Sequence, residues 1–364
     1  MKKILLLLVI PFLLTGCVQK TAKIDDDSGM ENFIADEEIS NFFVDEESGL
    51  KITYPSDWND SVATEEIIDD DRRIIKFDYL ATDGTKGFLF FVSIYPSTKE
   101  IWALHSEPNS ELILQTQDNI FTVSHSLDML YMLDTQDHNN YVEIIDHVDE
   151  VVAGIIIEDG SYAMVKNINK WNSEIHSEIN AYYPVIQNEV VDFDIKKAVD
   201  EMISTFEDNL ADWEIDLALS STSGLMMNFE TYLLNSDRTS MRLVISDYFA
   251  GGAHPNNRSL GLNYDLNTGK EINITDLFSV VEEEYLDRLS ELVSIDITKQ
   301  HEEMGFEWDE SYKEGVSAET DNYDNFVLTP SGMIFIFNPY EIGPYAAGGF
   351  QSFVSFDSIK DILK

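Results

Sequence analysis

The stretch that decides the fold runs Ser240-Met241-Arg242-Leu243-Val244-Ile245-Ser246-Asp247-Tyr248-Phe249, then Ala250-Gly251-Gly252-Ala253-His254-Pro255-Asn256, then Ser259-Leu260-Gly261-Leu262-Asn263-Tyr264-Asp265-Leu266. Its outer parts read as strands, the first of them rich in β-branched and aromatic residues. The glycine pair between them permits positive φ and close approach of another chain. Leu225–Leu234 is a third strand-like segment just upstream, and Asp265-Leu266-Asn267-Thr268-Gly269-Lys270 turns into the next element. Two amphipathic helices flank these strands. The first, with Asp192 or Asp194 as N-cap, carries Ile195, Ala198, Val199, Met202, Ile203, Phe206 and Leu210 along one stripe. The second, from about Thr275, carries Leu286, Leu289, Val293 and Ile297. Phe326–Thr329, Met333–Asn338 and Gln351–Phe356 add three strands, and Ser358–Leu363 a closing helical turn. Strands and helices segregate along the chain, which favours an α+β fold with antiparallel sheets over a doubly wound α/β fold.

Toward the N-terminus, Leu50–Tyr54, Arg73–Tyr79, Gly87–Tyr95, Leu112–Gln115 and Ile120–Ser124 read as strands. Tyr141, Ile144, Ile145, Val148, Val151 and Val152 recur at helical spacing. The expected layout is two domains, residues 47–158 and 166–364, each an antiparallel sheet with packed helices. Residues 159–168, which include Gly160 and Ser161, are the expected connection. Ahead of both, Lys2 and Lys3 precede an apolar run from Ile4 to Leu14 that ends in Leu14-Thr15-Gly16-Cys17. A short basic segment, a short apolar run and small residues make residues 1–16 a secretory signal, too short to span a membrane. The lone cysteine, Cys17, stands directly after Leu14, Thr15 and Gly16, in the arrangement of a bacterial lipobox. Cys17 is then the expected lipidated first residue of the mature chain. Residues 17–46 read as a disordered acidic tether: Asp25 to Glu47 holds ten acids and no Lys or Arg.

With 23 Lys and Arg against 68 Asp and Glu, the net charge is −45, so a phosphate backbone is repelled and nucleic-acid binding is excluded as a working reading. At 44% hydrophobic residues the chain can build cores, and one cysteine allows neither an intrachain disulfide nor a multi-cysteine metal site. The acid excess is shared by both halves, which fits general surface acidity. No phosphate-binding loop and no Gly-x-Ser-x-Gly elbow occurs. His301-Glu302-Glu303-Met304-Gly305 has a glycine where a helical zinc site needs its second histidine, so the expected reading is a solvated acidic stretch. Asp265-Asn267-Gly269 departs from a calcium loop at Lys270. No cofactor, metal site or catalytic residue is assigned.

Two glycine-rich motifs stand out. In the first, Gly251, Gly252, His254 and Pro255, the histidine reads either as a ligand or contact residue or as the fixing point of a tight bend. The second, Asn338-Pro339-Tyr340-Glu341-Ile342-Gly343-Pro344-Tyr345-Ala346-Ala347-Gly348-Gly349, offers Tyr340, Glu341, Pro344 and Tyr345 for a recognition surface, or simply closes the sheet.

The ordered set Ala181-Tyr182-Tyr183-Pro184-Val185-Ile186, Gly251–Asn256, Tyr264–Lys270, Asp276-Leu277-Phe278 and Tyr340–Gly348 resembles the extracytoplasmic domain of RsiV-type anti-sigma factors. That domain is shared with the N-terminal part of peptidoglycan deacetylases of the PdaC type, and the likeness spans about residues 166–364. Gly49–Trp58 more briefly resembles the opening strand of PsbP- or Mog1-like α/β sandwich domains. The longer resemblance implies a non-enzymatic surface module that captures a cationic protein such as lysozyme, or a cell-wall component such as peptidoglycan. Only Met1 to Lys3 precede the apolar run, so an anti-sigma role is not expected; nor is the deacetylase domain. The expected protein is a lipoprotein of the bacterial cell envelope, held by acylated Cys17 on the extracytoplasmic face of the lipid bilayer. Two alternatives stay open: a cell-wall-modifying hydrolase using His254 with Glu341 and Tyr345, and a salt-adapted surface module.

Overall fold

The computed structural model describes residues 40–69, 72–97, 110–126, 135–158, 160–213, 221–305 and 310–364. Leu14, Thr15, Gly16, Cys17 and the tether up to residue 39 lie outside the described residues. The first half contributes β1 (Ser40–Asp45), β2 (Leu50–Pro55), β3 (Val62–Asp69), β4 (Arg72–Leu80), β5 (Lys86–Pro96), β6 (Ser110–Gln115) and β7 (Asn119–His125). Helices α1 (Gln136–Ile145) and α2 (Val148–Ala153) and the short β8 (Ile156–Ile157) complete it. The helical periodicity of residues 141–152 is thus two helices, parted at Asp146 and His147. Then come β9 (Ala163–Asn172), β10 (Ser177–Val185), α3 (Glu189–Asp212), β11 (Ser223–Leu234), β12 (Arg238–Tyr248), β13 (Asn256–Asp265) and β14 (Lys270–Glu271). The last section holds α4 (Glu282–Met304), β15 (Phe326–Thr329), β16 (Gly332–Phe337), β17 (Phe350–Ser355) and α5 (Phe356–Ile359).

The fold is α+β, as the segregation of strands and helices implies. Eleven strands form one sheet in the order β14-β13-β12-β11-β10-β9-β6-β7-β5-β4-β3, beside two three-stranded sheets, β1-β2-β8 and β15-β16-β17. Pairing is antiparallel except between β10 and β11, which α3 connects as a crossover. The large sheet runs through the expected connection between domains. Within residues 159–168, Ala163 begins β9, which pairs with β6 through Met164 and Leu114 on one side and with β10 on the other. Side chains reinforce this seam, since Gln117 donates from Nε2 to the Tyr232 carbonyl at 3.1 Å and accepts from the Leu234 amide at 2.8 Å.

One expectation is corrected. The end of the acidic stretch 17–46 is not tether, because Ser40–Asp45 forms β1 and pairs along its length with β2. The acid count hid the apolar run Phe42-Phe43-Val44, and Asp45 itself is nearly buried against Arg73.

Among the described residues three large cores and one small cluster of Tyr95, Leu112 and Ile120 sit under these sheets. One lies within residues 50–157, a second joins the α3 stripe to the inner faces of β10–β13, and a third joins α4 to β15–β17. α3 starts earlier than its apolar stripe, capped by Asn188, whose side chain accepts from the Val191 amide, while Asp192 accepts from the Ile186 amide at 2.7 Å. The second helix likewise starts later than Thr275: a 3-10 turn, Ile274–Asp276, precedes α4 and is closed by a capping box of Asn273 and Asp276.

Candidate functional site

The site begins where β12 ends. Gly251 takes φ 90°, and Gly252 lies so close to the Phe249 carbonyl that a Cβ there meets its oxygen at 2.9 Å. The first half of this loop is pinned: the Ala250 amide donates to Ser223 Oγ at 2.9 Å and Trp213 Nε1 donates to the Ala250 carbonyl at 3.1 Å. The Trp213 and Phe206 rings pack on Phe249 at 5.3 and 5.4 Å between centroids. With its base held this way, the loop presents His254 and Pro255 to solvent.

The second loop follows β16. Asn338 locks it to β13, accepting from the Ser259 amide at 2.6 Å and donating to the Ser259 carbonyl at 3.3 Å. Glu341 folds back on this turn and accepts from the Asn338 amide at 2.6 Å. Tyr340, 64% exposed, holds φ 79°, a left-handed conformation that costs a non-glycine residue about 1–3 kcal/mol. Beneath the loop Ile342 is fully buried, and a Cβ on Gly343 meets the Phe350 ring at 3.0 Å and His301 Cε1 at 3.5 Å. His301 itself is completely enclosed and stacks on Phe350 at 4.6 Å and 5°. Burial pushes its imidazole pKa down, against a smaller upward pull from a hydrogen bond with the Ile342 backbone.

The two loops meet. The His254 ring stacks on Tyr345 with centroids 3.7 Å apart and planes 21° from parallel. Tyr340 lies 5.5 Å from Tyr345, so three rings stand side by side. The Pro255 carbonyl accepts twice, from His254 Nδ1 at 2.8 Å and from the Tyr345 hydroxyl. Because a carbonyl only accepts, Nδ1 carries the proton, and Nε2 of the neutral ring is the acceptor. Asn257 Nδ2 donates to the Tyr345 hydroxyl at 3.4 Å.

His254, Pro255 and Tyr340 are thus exposed together, while Tyr345 and its chain neighbour Pro344 are half-buried. Gly251 and Gly252 shape the first loop without joining the ring cluster. Glu341 is placed as a turn brace on Asn338 rather than as a partner of His254. The residues that residue-type reasoning missed are Asn257, Asn338 and His301. Asn338 opened the quoted motif but showed no sign of its lock on Ser259. His301 belongs to the stretch whose residue types fail as a zinc motif and point to a solvated acidic segment. That expectation fails at His301, because the α4 stripe of Leu289, Val293 and Ile297 continues to it and carries it into the core. Among the described residues no group of three His, Cys, Asp or Glu side chains converges as a metal site.

Residues 275–357 match a family described as a protein of unknown function, DUF3298. They include α4, β15–β17 and the whole second loop. Peptidoglycan-N-acetylmuramic acid deacetylase PdaC of Bacillus subtilis (strain 168) is 23% identical over 216 residues, 59% of this chain and 45% of its own length. The chain therefore spans about half the length of the curated relative it matches, and the likeness to PdaC-type proteins expected from the ordered motifs is found. Among solved structures, a DUF3298 family member from Bacteroides fragilis NCTC 9343 is 18% identical with a TM-score of 0.39, covering 56% of this chain and 92% of its own. A DUF3298 family protein from Pseudomonas aeruginosa PAO1 is 15% identical with a TM-score of 0.42, covering 55% of this chain and 94% of its own.

Proposed function

We propose that the protein is an extracytoplasmic binding module, anchored to the bacterial membrane by lipidated Cys17, that captures a partner through the ring cluster of His254, Tyr340 and Tyr345. The partner is a cationic protein such as lysozyme, with a cell-wall component as the other version. The observation that supports this reading is the meeting of two loops some ninety positions apart, which sets the exposed rings of His254 and Tyr340 against the half-buried ring of Tyr345, tyrosine being a residue that anchors protein interfaces. Similarity to PdaC and the resemblance to RsiV-type domains support the extracytoplasmic setting. The overall charge of −45 speeds encounter with a basic partner at low salt and loses that effect as salt screens it. A hydrolase centred on these groups draws less support, because Glu341 is spent on the Asn338 amide and the Tyr345 hydroxyl on Pro255.

The test is retention of the soluble chain from residue 18 onward on lysozyme-coupled resin at low and high ionic strength. Retention at low salt, weakened at high salt and lost in Tyr345→Ala, is the expected result. No retention at low salt removes the lysozyme version, and the same pair of proteins is then sedimented with purified peptidoglycan. Anchoring is read separately, as transfer of label from palmitate to the native chain and not to Cys17→Ser.

A further inference from the structure

The large sheet has two faces, and only part of the second is covered. On β9–β13 one face packs on α3: Ile179, Ala181, Leu225, Met227, Leu243 and Ile245 lie in that core, and Lys170 reaches Glu207 of α3 at 2.7 Å. Alternation along the strands turns the intervening residues to the opposite side. There the β13 edge is roofed by β15, as Asn263 donating to the Phe326 carbonyl at 2.8 Å shows. β15 also reaches β12 and β11, where the Leu328 amide donates to Ser240 Oγ at 2.7 Å, and the face opens toward its Trp171 and Met226 end. Trp171 is 60% exposed and Met226 is 52% exposed.

Register arranges this open face in two rows. Trp171 pairs with Glu178, Glu178 with Gly224, and Gly224 with Tyr248, so one row crosses four strands. At about 4.8 Å between strands, the two aromatic residues stand about 14 Å apart. The glycine between them leaves a trough where any other residue would place a side chain. The neighbouring row runs Asn169, Asn180, Met226, Ser246, Asn257, and Asn257 ends it against the Tyr345 hydroxyl. Of these nine residues only Glu178 is charged, in a chain that is 25% charged. A surface this poor in carboxylates is a weak receptor for a basic protein. Its amides and hydroxyls both donate and accept, which is what sugar hydroxyls require. Indole and phenol faces carry the negative end of the ring quadrupole and attract the C–H face of a pyranose.

We propose that the trough from Trp171 across Gly224 to Tyr248 is a binding site for an uncharged oligosaccharide, one sugar stacked on the Trp171 indole. Asn169, Asn180 and Glu178 take its hydroxyls, and the span between the two rings fits a chain of about three pyranose units. The site is distinct from the ring cluster and does not rest on lysozyme capture.

The soluble chain from residue 18 onward is titrated with chitotriose and with cellotriose, followed by tryptophan fluorescence and calorimetry. Saturable binding of at least one trisaccharide is expected, weakened at least tenfold in Trp171→Ala and largely kept in Trp171→Phe. Gly224→Leu fills the trough and is expected to abolish binding with an unchanged melting temperature. A Cβ there meets only the Glu178 carbonyl oxygen at 3.8 Å, so the fold tolerates it. Tyr345→Ala, which tests lysozyme capture, is expected to keep sugar binding. The proposal is overturned if neither trisaccharide binds at millimolar concentration, or if Trp171→Ala binds as the native chain does. It is equally overturned if Trp171→Ala loses lysozyme retention while no sugar binds, because the face then belongs to a protein partner.

Discussion

Replacing Gly261 by alanine tests how the layer that carries the second loop is held on the large sheet. A Cβ at Gly261 falls 2.0 Å from the Phe326 carbonyl oxygen and 2.7 Å from its carbon. Carbon in a favourable contact sits at about 3.5–4.0 Å, so β15 must retreat by more than an ångström. Three hydrogen bonds resist that retreat. The Gly261 amide donates to Asn325 Oδ1 at 2.8 Å, Asn325 Nδ2 to the Ser259 carbonyl at 3.1 Å, and Asn263 Nδ2 to the Phe326 carbonyl at 2.8 Å. Overpacking alone costs about 1–3 kcal/mol. Losing one of these buried or partly buried bonds adds a similar amount, so the expected total is about 2–5 kcal/mol. Gly224→Ala is the internal control: same substitution, same sheet, same face, but a nearest contact of 3.8 Å. Neither glycine has positive φ, so backbone strain does not separate the two variants. With three cores a single unfolding transition is not assumed, and the assay is hydrogen exchange by mass spectrometry alongside urea denaturation. Protection is expected to fall in β15–β17 and the loop at 338–349, and to hold in β4 and β5. If Gly261→Ala and Gly224→Ala agree within about 0.5 kcal/mol and exchange alike, the close approach of β15 does not hold this layer.

Stability is expected to be highest above about pH 6.5 and to decline as pH falls, because folded His301 has a lowered pKa while the unfolded imidazole takes a proton near 6.5. Denaturation midpoints at about pH 7.5 and about pH 5 are expected to differ less in His301→Phe than in the native chain, and equal differences refute the role given to His301. Gln117→Ala removes both bonds that tie the turn between β6 and β7 to β11 and is expected to cost about 1–3 kcal/mol by urea denaturation. An unchanged midpoint would mean that backbone pairing and the bond from Thr231 Oγ1 to Gln115 Oε1 carry that seam without Gln117. Asn338→Ala cuts the tie from the second loop to Ser259 and is expected to lower lysozyme retention several-fold without removing any ring. Full retention would show that the loop keeps its place without the lock.

The strands legible in the sequence are those with dense β-branched and aromatic residues, such as β4, β5, β11 and β12. Those that escaped share a different chemistry. β3, Val62-Ala63-Thr64-Glu65-Glu66-Ile67-Ile68-Asp69, is an edge strand whose last six side chains are all exposed, so it has no buried face to impose alternation. β9 reads as a connector because one of its faces is open to solvent along Asn167, Asn169 and Trp171. The parallel pairing of β10 with β11 is set by the α3 crossover, and nothing local in either strand announces it. At the site, the residue types were legible but their meeting was not. Contact between residues 254 and 345 depends on β15 docking against β13, a relation carried by neutral asparagines. Asn338, Asn325 and Asn263 are ordinary turn and strand residues in isolation, and their bonds to another strand appear only once the layers are stacked.

That dependence has a consequence for binding. The first loop is anchored in the α3 core through Phe249, Trp213 and Phe206, and the second in the α4 core through Ile342, Gly343 and His301. No ring of the second loop is positioned by the core that positions His254. The complete cluster therefore exists only in molecules whose two layers are docked, and the affinity for any partner scales with that docked fraction. Undocking rarer than about one molecule in a hundred leaves capture unaffected, whereas a perturbation of a few kcal/mol at β13 and β15 lowers affinity while leaving every contact residue in place. A variant such as Gly261→Ala thus separates two causes of lost capture that a ring deletion cannot. If the rings alone carry recognition, retention survives in proportion to the docked fraction measured by exchange; if the open sheet face carries it, retention is indifferent to docking.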